Sequence, residues 1–425
     1  MEKFDVVIVG AGPAGSSAAH ALASRGYQVL ILERGKSPGT KNVFGGRIYP
    51  YSLAELIPNY QDDAPIERFI TKEEITLMTD NSSFSTTFSS ENNTVNRSFT
   101  TFRSKFDKWL SEKAVEKGAL LFNDVKVDDV VINNGTITGI ITGGDEIKAD
   151  LVVGADGATS TLGKKTGLVT SDPENFSVGV KEVIELPESK IEERFSVDAT
   201  HGAAAVYAGH VTRYLRGGAF IYTNRSSLSI GVVVRGVDLI ESKTEVHGLL
   251  NHFKDHHSVK NMIKDGRVLE YSGHLIPEIG YADMPKLFTN GFLLAGDSAG
   301  FLINNGYTFR GVDMAISSGI AVAETYERAR KSNDFSSAML SSYIENLERR
   351  NVLSDLKTFR SGPGFLRNPR LYSEYPKMVC DIMEKIYTVD GKKRKKIRQI
   401  VKGSIKDKVS TVRLLRDLLA GANAI

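Results

Sequence analysis

The chain of 425 residues contains one cysteine, Cys380. A single thiol excludes a disulfide framework, and it excludes a cysteine-ligated iron–sulfur cluster held within this chain. Long apolar runs are missing too: nowhere do about eighteen apolar residues follow one another, so no transmembrane helix is expected. The pattern of a strand begins already at Phe4, which leaves no place for a signal or transit peptide ahead of the fold, and the expected location is the cytoplasm. There are no internal repeats and no low-complexity segments. The net charge is small, +3, but unevenly spread. From Ile386 onward eleven Lys/Arg face Asp390, Asp407 and Asp417, a net of +8, so the first 385 residues carry −5. A mildly acidic body bears a strongly basic tail.

What remains is the composition of an ordinary globular protein, 41% apolar and 25% charged, long enough for two or three domains. Its most informative stretch is the first. Phe4-Asp5-Val6-Val7-Ile8-Val9 reads as a buried strand. It ends in Gly10-Ala11-Gly12-Pro13-Ala14-Gly15, a G-x-G-x-x-G turn leading into the helical run Ser16 to Ala23. In such a turn Gly10 permits the tight bend, Gly12 admits a pyrophosphate to the backbone, and Gly15 lets helix and strand pack closely. The helix N-terminus then presents free N–H groups and partial positive charge to the phosphates. A second strand, Gln28 to Leu32, ends at Glu33, where an acid is needed to bind a ribose diol. Glycines also mark plain turns, but strand, turn, helix, strand and acid in this order predict a dinucleotide site.

Further along, Gly39 to Arg47 is a glycine-rich loop suited either to close approach of a bound ring or to a plain surface turn. Ile75 to Thr79 begins a polar hairpin reaching Arg97, and a helix is expected from Lys105 to about Lys117. Strands follow at Ala119 to Phe122 and Val125 to Ile132, and Asn133-Asn134-Gly135 signals a hairpin returning through Thr142. Leu151 to Gly157 is a buried strand ending at a glycine-flanked aspartate. Short alternating strands from Phe176 to about Met284, broken by one helix near Glu245 to Ile263, read as an inserted antiparallel sheet. A further strand ends in Ala295-Gly296-Asp297, and a long helix is expected from about Arg310 to Lys331. The predicted division is residues 1–42, 104–170 and 285–335 for a nucleotide-binding domain, 43–103 and 171–284 for a substrate domain, and 336–425 for a helical region with the basic tail.

Each Gly-Asp taken alone reads as a turn or helix cap. Gly10/Gly12/Gly15 with Glu33, Ala155-Asp156-Gly157 and Gly296-Asp297, in this order, resemble the FAD-binding fold of the glutathione-reductase and p-hydroxybenzoate-hydroxylase type, so FAD is the expected cofactor. The resemblance implies that Asp297 holds the ribityl chain. It also implies that the helix after Gly306 faces the flavin ring and favours its anionic reduced form. There is no second G-x-G-x-x-G, so no separate nicotinamide domain is expected. No Ser/His/Asp or HExxH arrangement stands out, in keeping with redox chemistry that needs neither nucleophile nor metal.

Longer segments narrow the resemblance. Lys41 to Pro50 with Leu56-Ile57-Pro58 and Ala64-Pro65-Ile66 is similar to the loop beside the flavin in electron-transfer-flavoprotein:quinone oxidoreductases, above all the FixC (EtfC) branch. Arg103-Ser104-Lys105-Phe106-Asp107-Lys108-Trp109-Leu110 matches that family's R-x-x-F-D-x-W-L segment, whose arginine lies near FAD. Val178 to Pro187, Gly218 to Thr223 and Gly306 to Ala315 match its substrate-domain strands and ring-facing helix start. The implied cofactor contacts are Gly10, Gly12, Pro13, Ala14, Gly15, Glu33, Arg34, Gly45, Gly46, Arg103, Val127, Ala155, Asp156, Gly157, Gly296, Asp297, Gly306, Tyr307 and Thr308. Gly45, Gly46, Arg47, Tyr307 and Arg310 are the candidates for the quinone space, although Arg47 and Arg310 read equally as salt-bridge partners. The larger quinone oxidoreductases carry a four-cysteine cluster domain that one cysteine cannot supply. The resemblance therefore implies a complex with the alpha and beta subunits of electron transfer flavoprotein and a FixX (EtfX) ferredoxin-like subunit carrying a 4Fe–4S cluster. In some relatives such a complex bifurcates electrons from NADH.

Two rivals share this pattern. A geranylgeranyl (prenyl-lipid) reductase has the same FAD fold, but its loop cysteine is missing at Gly45-Gly46-Arg47; a non-catalytic FAD-containing scaffold is the other. The basic tail, Lys392 to Lys396 before an amphipathic run from Ile397 to Leu419, suits an anionic inner membrane face, an acidic partner subunit, or a solvated helix. Nucleic acid is not expected, because aromatic residues do not interleave the basic ones. His252 and His256 fall on one predicted helical face without further ligands, so no metal is expected. Asn92-Asn93-Thr94 and Asn96-Arg97-Ser98 read as hairpin residues, not glycosylation sites.

Overall fold

The computed structural model describes residues 3–40, 46–90, 98–170 and 172–425, and two sheets organise it. The first has a parallel core in the order Phe292–Leu294, Asp145–Gly154, Lys3–Val9, Val29–Leu32, Leu120–Phe122. Strands covered on both faces need no alternation. Accordingly Val6 to Ile8, Leu30 to Leu32 and Leu151 to Val153 are all buried. Helix Pro13–Ala23 packs on helices Val312–Ser332 and Arg103–Glu116. Its contact with the first is close enough that a Cβ on Gly319 would overlap the Ala14 carbonyl and stand 2.8 Å from the Ala18 nitrogen.

An antiparallel meander, Asp129–Asn133 and Thr136–Thr142, feeds into Asp145–Gly154. Its turn residues Asn134 and Gly135 have φ of 48° and 75°, the left-handed pair that a tight hairpin with matching strand twist requires. The strand expected from Val125 begins only at Asp129. Val125 instead donates its N–H to the Glu33 carbonyl (2.9 Å), which turns residues 125–127 toward the end of the parallel sheet.

The second sheet runs Arg267–Pro277, Phe176–Glu185, Ser227–Arg235, Gly217–Thr223, His201–Gly209, Arg68–Met78, Phe99–Thr100, Arg47–Ile48, with Ser83–Ser89 paired to Arg68–Met78. Among the described strands of this sheet Arg68–Met78 and His201–Gly209 alone pair in parallel, which requires a long connection between them. Arg68, fully buried, joins the two stretches by donating to the carbonyls of Asn224 (2.8 Å), His201 (3.2 Å), Arg225 (3.1 Å) and Asp198. A charged guanidinium is tolerated there because each of its edges meets a carbonyl and the carboxylates of Glu188 and Glu192 stand 3.7 and 3.8 Å from it.

Two expected helices differ in extent. The one near 245–263 divides into Val246–Asp255 and His257–Lys260, with His256 extended between them. His252 and His256 therefore do not share a helical face; their Nε2 atoms meet the carbonyls of His210 and Thr79, both at 3.0 Å. The long helix starts at Val312, after Phe309–Arg310 has paired with Ile303–Asn304. The remaining residues form helices ending with Ile397–Lys408 and Thr411–Ala424. Among the described residues no helix is long and apolar enough to cross a membrane. The tight helix crossing makes a direct prediction: Gly319→Val lowers unfolding free energy by about 2 kcal/mol or more through overpacking. Denaturant melts of variant and parent would check this.

Candidate functional site

A cleft of about 420 Å³ opens where the parallel strands end, at Val9/Gly10, Leu32/Glu33 and Ala155 to Gly157, with Ala295/Gly296 beside them. Ligands of open α/β sheets bind at this end. The three glycine motifs touch one another there. A Cβ on Gly10, whose φ is +104°, would overlap the Ala155 carbonyl; one on Gly15 would overlap the Gly10 carbonyl; one on Gly296 would come within 2.8 Å of the Ala14 Cβ. Like Gly157 across the cleft, Gly12 faces open space, with nothing within 4 Å of its Cβ position. Its backbone and the N-terminus of helix Pro13–Ala23 border the cleft, a cradle shaped for a pyrophosphate.

Glu33 stands at the end of its strand, its carboxylate accepting from the N–H groups of Ala11 (3.0 Å) and Gly35 (2.7 Å). Two hydrogen bonds hold the acid beside the cleft, ready for a ribose diol. Across from it Arg103 is buried and donates through two nitrogens to Asp107 (2.7 and 2.9 Å). Burial raises the Asp297 carboxyl above its ordinary range; Arg103 counteracts and Asp107 adds to the rise. The Gly296 N–H donates to Ser318 Oγ (3.0 Å), which ties this motif to helix Val312–Ser332. Val312 and Ala315, at the helix start, line the cleft. The open Gly12, the strand-end acid, the Arg103–Asp107 pair, Asp297 and the helix start follow one another as a dinucleotide needs them, and the residues present fit FAD.

Of the residues named from sequence, the cleft brings together Gly10, Gly12, Pro13, Ala14, Glu33, Arg34, Arg47, Arg103, Val127, Ala155, Asp156, Gly157, Gly296 and Asp297. Gly15 lies beneath the turn. Asp156 reaches the cleft, but its carboxylate accepts from Ser160 Oγ (2.7 Å) and the Leu162 N–H (3.0 Å), capping helix Thr161–Lys165. Gly45 lies outside the described residues, and Gly46 sits beside the lining, its carbonyl accepting from Thr101 (2.8 Å). Gly306, Tyr307, Thr308 and Arg310 do not line the cleft. Asn305 Oδ1 accepts from both the N–H and the hydroxyl of Thr308 (2.8 Å each), closing a turn that leaves Tyr307 42% exposed. Arg310 pairs with Asp313 (2.8 Å) and Asp355 (2.7 Å), the salt-bridge role open to it from the start. Phe309 and Gly311 face the cleft instead.

Sequence reasoning passed over Asp107, Leu302, Phe309 and the strand end Gly273 to Ile276, all of which line the cleft. Asp107 carried a signal, standing four residues after Arg103 on one helix face. The strand end carried none. Arg47 is held at the rim by Glu73 (3.1 Å) and Ser98 (2.8 Å), 5.0 Å from the centre of the Tyr49 ring.

These roles separate in two variants. Gly12→Ala meets no protein atom, so its fold is expected to hold while FAD is lost, read as a fall in flavin absorbance per protein with an unchanged melt of the cofactor-free chain. Gly10→Ala is expected to lower that melt as well, because its methyl meets backbone.

Comparison with known proteins agrees with this geometry. Residues 3–200 match the FAD binding domain model, residues 176–276 the ubiquinone-binding domain of ETF-QO, and residues 362–425 the ETF-QO/FixC family C-terminal domain. The chain is 41% identical to the probable electron transfer flavoprotein-quinone oxidoreductase YdiS of Escherichia coli K12, over 100% of this chain and 99% of that one. It is 42% identical to Protein FixC of the same strain, over 99% of each. A solved structure of a geranylgeranyl bacteriochlorophyll reductase-like protein from Thermoplasma acidophilum superposes with a TM-score of 0.74, covering 98% of this chain and all of that one. At 22% identity that likeness speaks for the fold alone. With full-length identity above 40% and cofactor motifs meeting in one cleft, the chain belongs to the electron transfer flavoprotein–quinone oxidoreductase/FixC family and is an FAD-dependent oxidoreductase.

Proposed function

We propose that this chain takes electrons from an electron transfer flavoprotein and passes them through its FAD to a quinone. Its complex would comprise the two flavoprotein subunits and a small FixX-like subunit that supplies the 4Fe–4S cluster. The observation that carries the reading is the roof of the cleft. Gly273 to Ile276 fall within the segment matching the ubiquinone-binding domain, and they border the same cleft as the FAD motifs. Beside them Phe220, Ile276 and Leu302 form a small apolar cluster with Tyr222 and Phe309, a surface suited to a quinone ring. FAD, when bound, supplies the exchange of electrons singly with one partner and in pairs with the other. The protein's part is to hold the quinone against that roof, to fix Arg47 at its rim, and to keep bulk water out.

A peripheral position on an anionic membrane is supported by the last helix, Thr411–Ala424. It docks through Asp417, which accepts from Arg370 (2.7 and 2.9 Å) and Asn368 (3.0 Å), and through buried Gly421 and Ala424. Val412, Leu415, Leu418 and Leu419 consequently point outward, between 56% and 75% exposed. An acid turned inward and leucines turned outward, on a tail that also carries Lys392 to Lys396, favour insertion at a lipid headgroup boundary, where each nearby cation adds about 1 kcal/mol.

Two measurements test these statements. Photoreduced, anaerobic, FAD-loaded protein should be reoxidised by a water-soluble quinone analogue and not by a prenyl-lipid alkene. Reaction with the alkene alone would make it a lipid-saturating reductase, and reaction with neither a scaffold. In flotation with phosphatidylglycerol vesicles, the parent should bind in a salt-sensitive way and a Leu415→Asp/Leu419→Asp variant should remain in solution; equal flotation of both would remove the membrane role.

A further inference from the structure

Reduction of a quinone to a quinol forms two O–H bonds and consumes two electrons and two protons. FAD, when bound, would supply both electrons but, in its anionic reduced form, one proton, so a second proton must come through the protein. Resting on the function proposed above, we infer that Lys181, with Glu270, Ser272 and His274, forms the route that carries this proton from solvent to the cleft.

The placement is carried by one face of one edge strand. Along Arg267–Pro277, residues 270, 272 and 274 project to the same side, and each has a buried polar atom without a hydrogen-bond partner: Glu270 Oε1, Ser272 Oγ and His274 Nε2. Buried polar atoms left unpaired by protein are satisfied by water or a ligand. Same-face residues on a strand lie about 6.8 Å apart along the backbone, a span that the reach of the side chains and one or two waters between them close. The row therefore reads as stepping stones. Its inner end is His274, which lines the cleft. Its outer end, Glu270, sits by the exposed strand start, where Val268 and Leu269 are about half exposed.

Lys181 stands directly across from Ser272 in the neighbouring strand, so the two side chains share a face. At 2% exposure it is one of the most enclosed lysines a fold can hold. On its other side it meets Gly231, flanked by Ser229 and Val233, so no acid faces it from that strand. The charged groups acting on it are Glu270 from the edge strand and Arg103 from helix Arg103–Glu116, itself paired with Asp107. Burial brings the Lys181 ammonium down to about 8, with Glu270 pulling it up and Arg103 pushing it further down. An ammonium in that range can both give and regain a proton near neutral pH. Burial, aided by Arg103, holds the His274 imidazole at about 4, so it passes a proton on without keeping one.

The sign of the expected linkage follows. In the oxidised protein Lys181 is charged below about pH 8 and neutral above it. Adding negative charge to the nearby flavin raises its proton affinity, so above that pH reduction draws one more proton into the protein. The FAD midpoint potential should accordingly fall more steeply with pH above about 8 in the parent protein, and the extra slope should vanish in Lys181→Met. This equilibrium measurement needs no turnover. In kinetics, reoxidation by a water-soluble quinone should drop about a hundredfold in Lys181→Met. Reoxidation by ferricyanide, which takes electrons only, should not change. Glu270→Gln, milder and nearer the surface, should slow the quinone reaction and be rescued by added imidazole buffer.

Parent-like quinone rates and parent-like potential slopes in both variants would overturn the route. So would equal slowing toward quinone and ferricyanide, which marks a general loss of cofactor geometry. A parent protein inert toward quinone would instead refute the proposed acceptor, and the potential slopes would still decide whether Lys181 is the proton group linked to the flavin.

Discussion

The cofactor cleft depends on close backbone contact among three separated glycine motifs. Gly10 lies against the Ala155 carbonyl, Gly296 against Ala14, and Gly319 against the backbone of the first helix. None of these positions accepts a Cβ without displacement. Together they bring the strand ends of residues 9, 154 and 294, and the starts of helices Pro13–Ala23 and Val312–Ser332, into one rim. Two helix N-termini at one cleft add partial positive charge to that of Arg34, Arg47, Arg103 and Lys126 on its lining, which suits a ligand carrying both a pyrophosphate and a ring that gains negative charge.

The second sheet supplies what the first lacks, an enclosing wall. It is built from two chain segments joined by the parallel pair Arg68–Met78 and His201–Gly209, and Arg68 secures that joint with hydrogen bonds to carbonyls and ion pairs to Glu188 and Glu192. Its edge strand then reaches the cleft through Gly273 to Ile276. The face it presents is mixed: aromatic and aliphatic at Phe220, Tyr222 and Ile276, polar and titratable at Lys181, Ser272 and His274. A wall that is apolar where a quinone ring would rest, and proton-bearing beside it, is what separates electron delivery to a quinone from simple storage of electrons in a flavin.

Much of this was legible in the sequence, because the cofactor site is made by backbone. Where another chain segment must come within contact of a Cα, only glycine serves: Gly10 and Gly15 meet carbonyls, Gly154 meets the Phe292 ring and Gly296 the Ala14 Cβ, and all four therefore stand out as letters. The Asn134-Gly135 hairpin was readable for the same kind of reason, its two left-handed residues being those the turn demands. The legible part thins where side chains decide. Gly306 to Arg310 read as a ring-facing segment, but whether Tyr307 or Phe309 turns inward depends on the two-residue pairing with Ile303–Asn304, which carries no local signal. Arg310 could not be assigned while its partner Asp355 lay in another helix. The inward turn of Asp417 is hidden in the same way, since Arg370 and Asn368 lie in a distant segment. The edge strand Arg267–Pro277 shows no motif at all; its Glu, Ser and His gain meaning only when the register sets Lys181 across from Ser272.

The most direct test of the account is the position of the quinone head. Anaerobic FAD-loaded protein, illuminated with an azido-quinone and digested, should carry the label on peptides spanning residues 217–223 or 267–277, and an excess of unlabelled quinone should abolish it. Displaceable label confined to the helices of residues 397–424, or to the outer side of the parallel sheet, would contradict a quinone held between the FAD cleft and the roof of the second sheet.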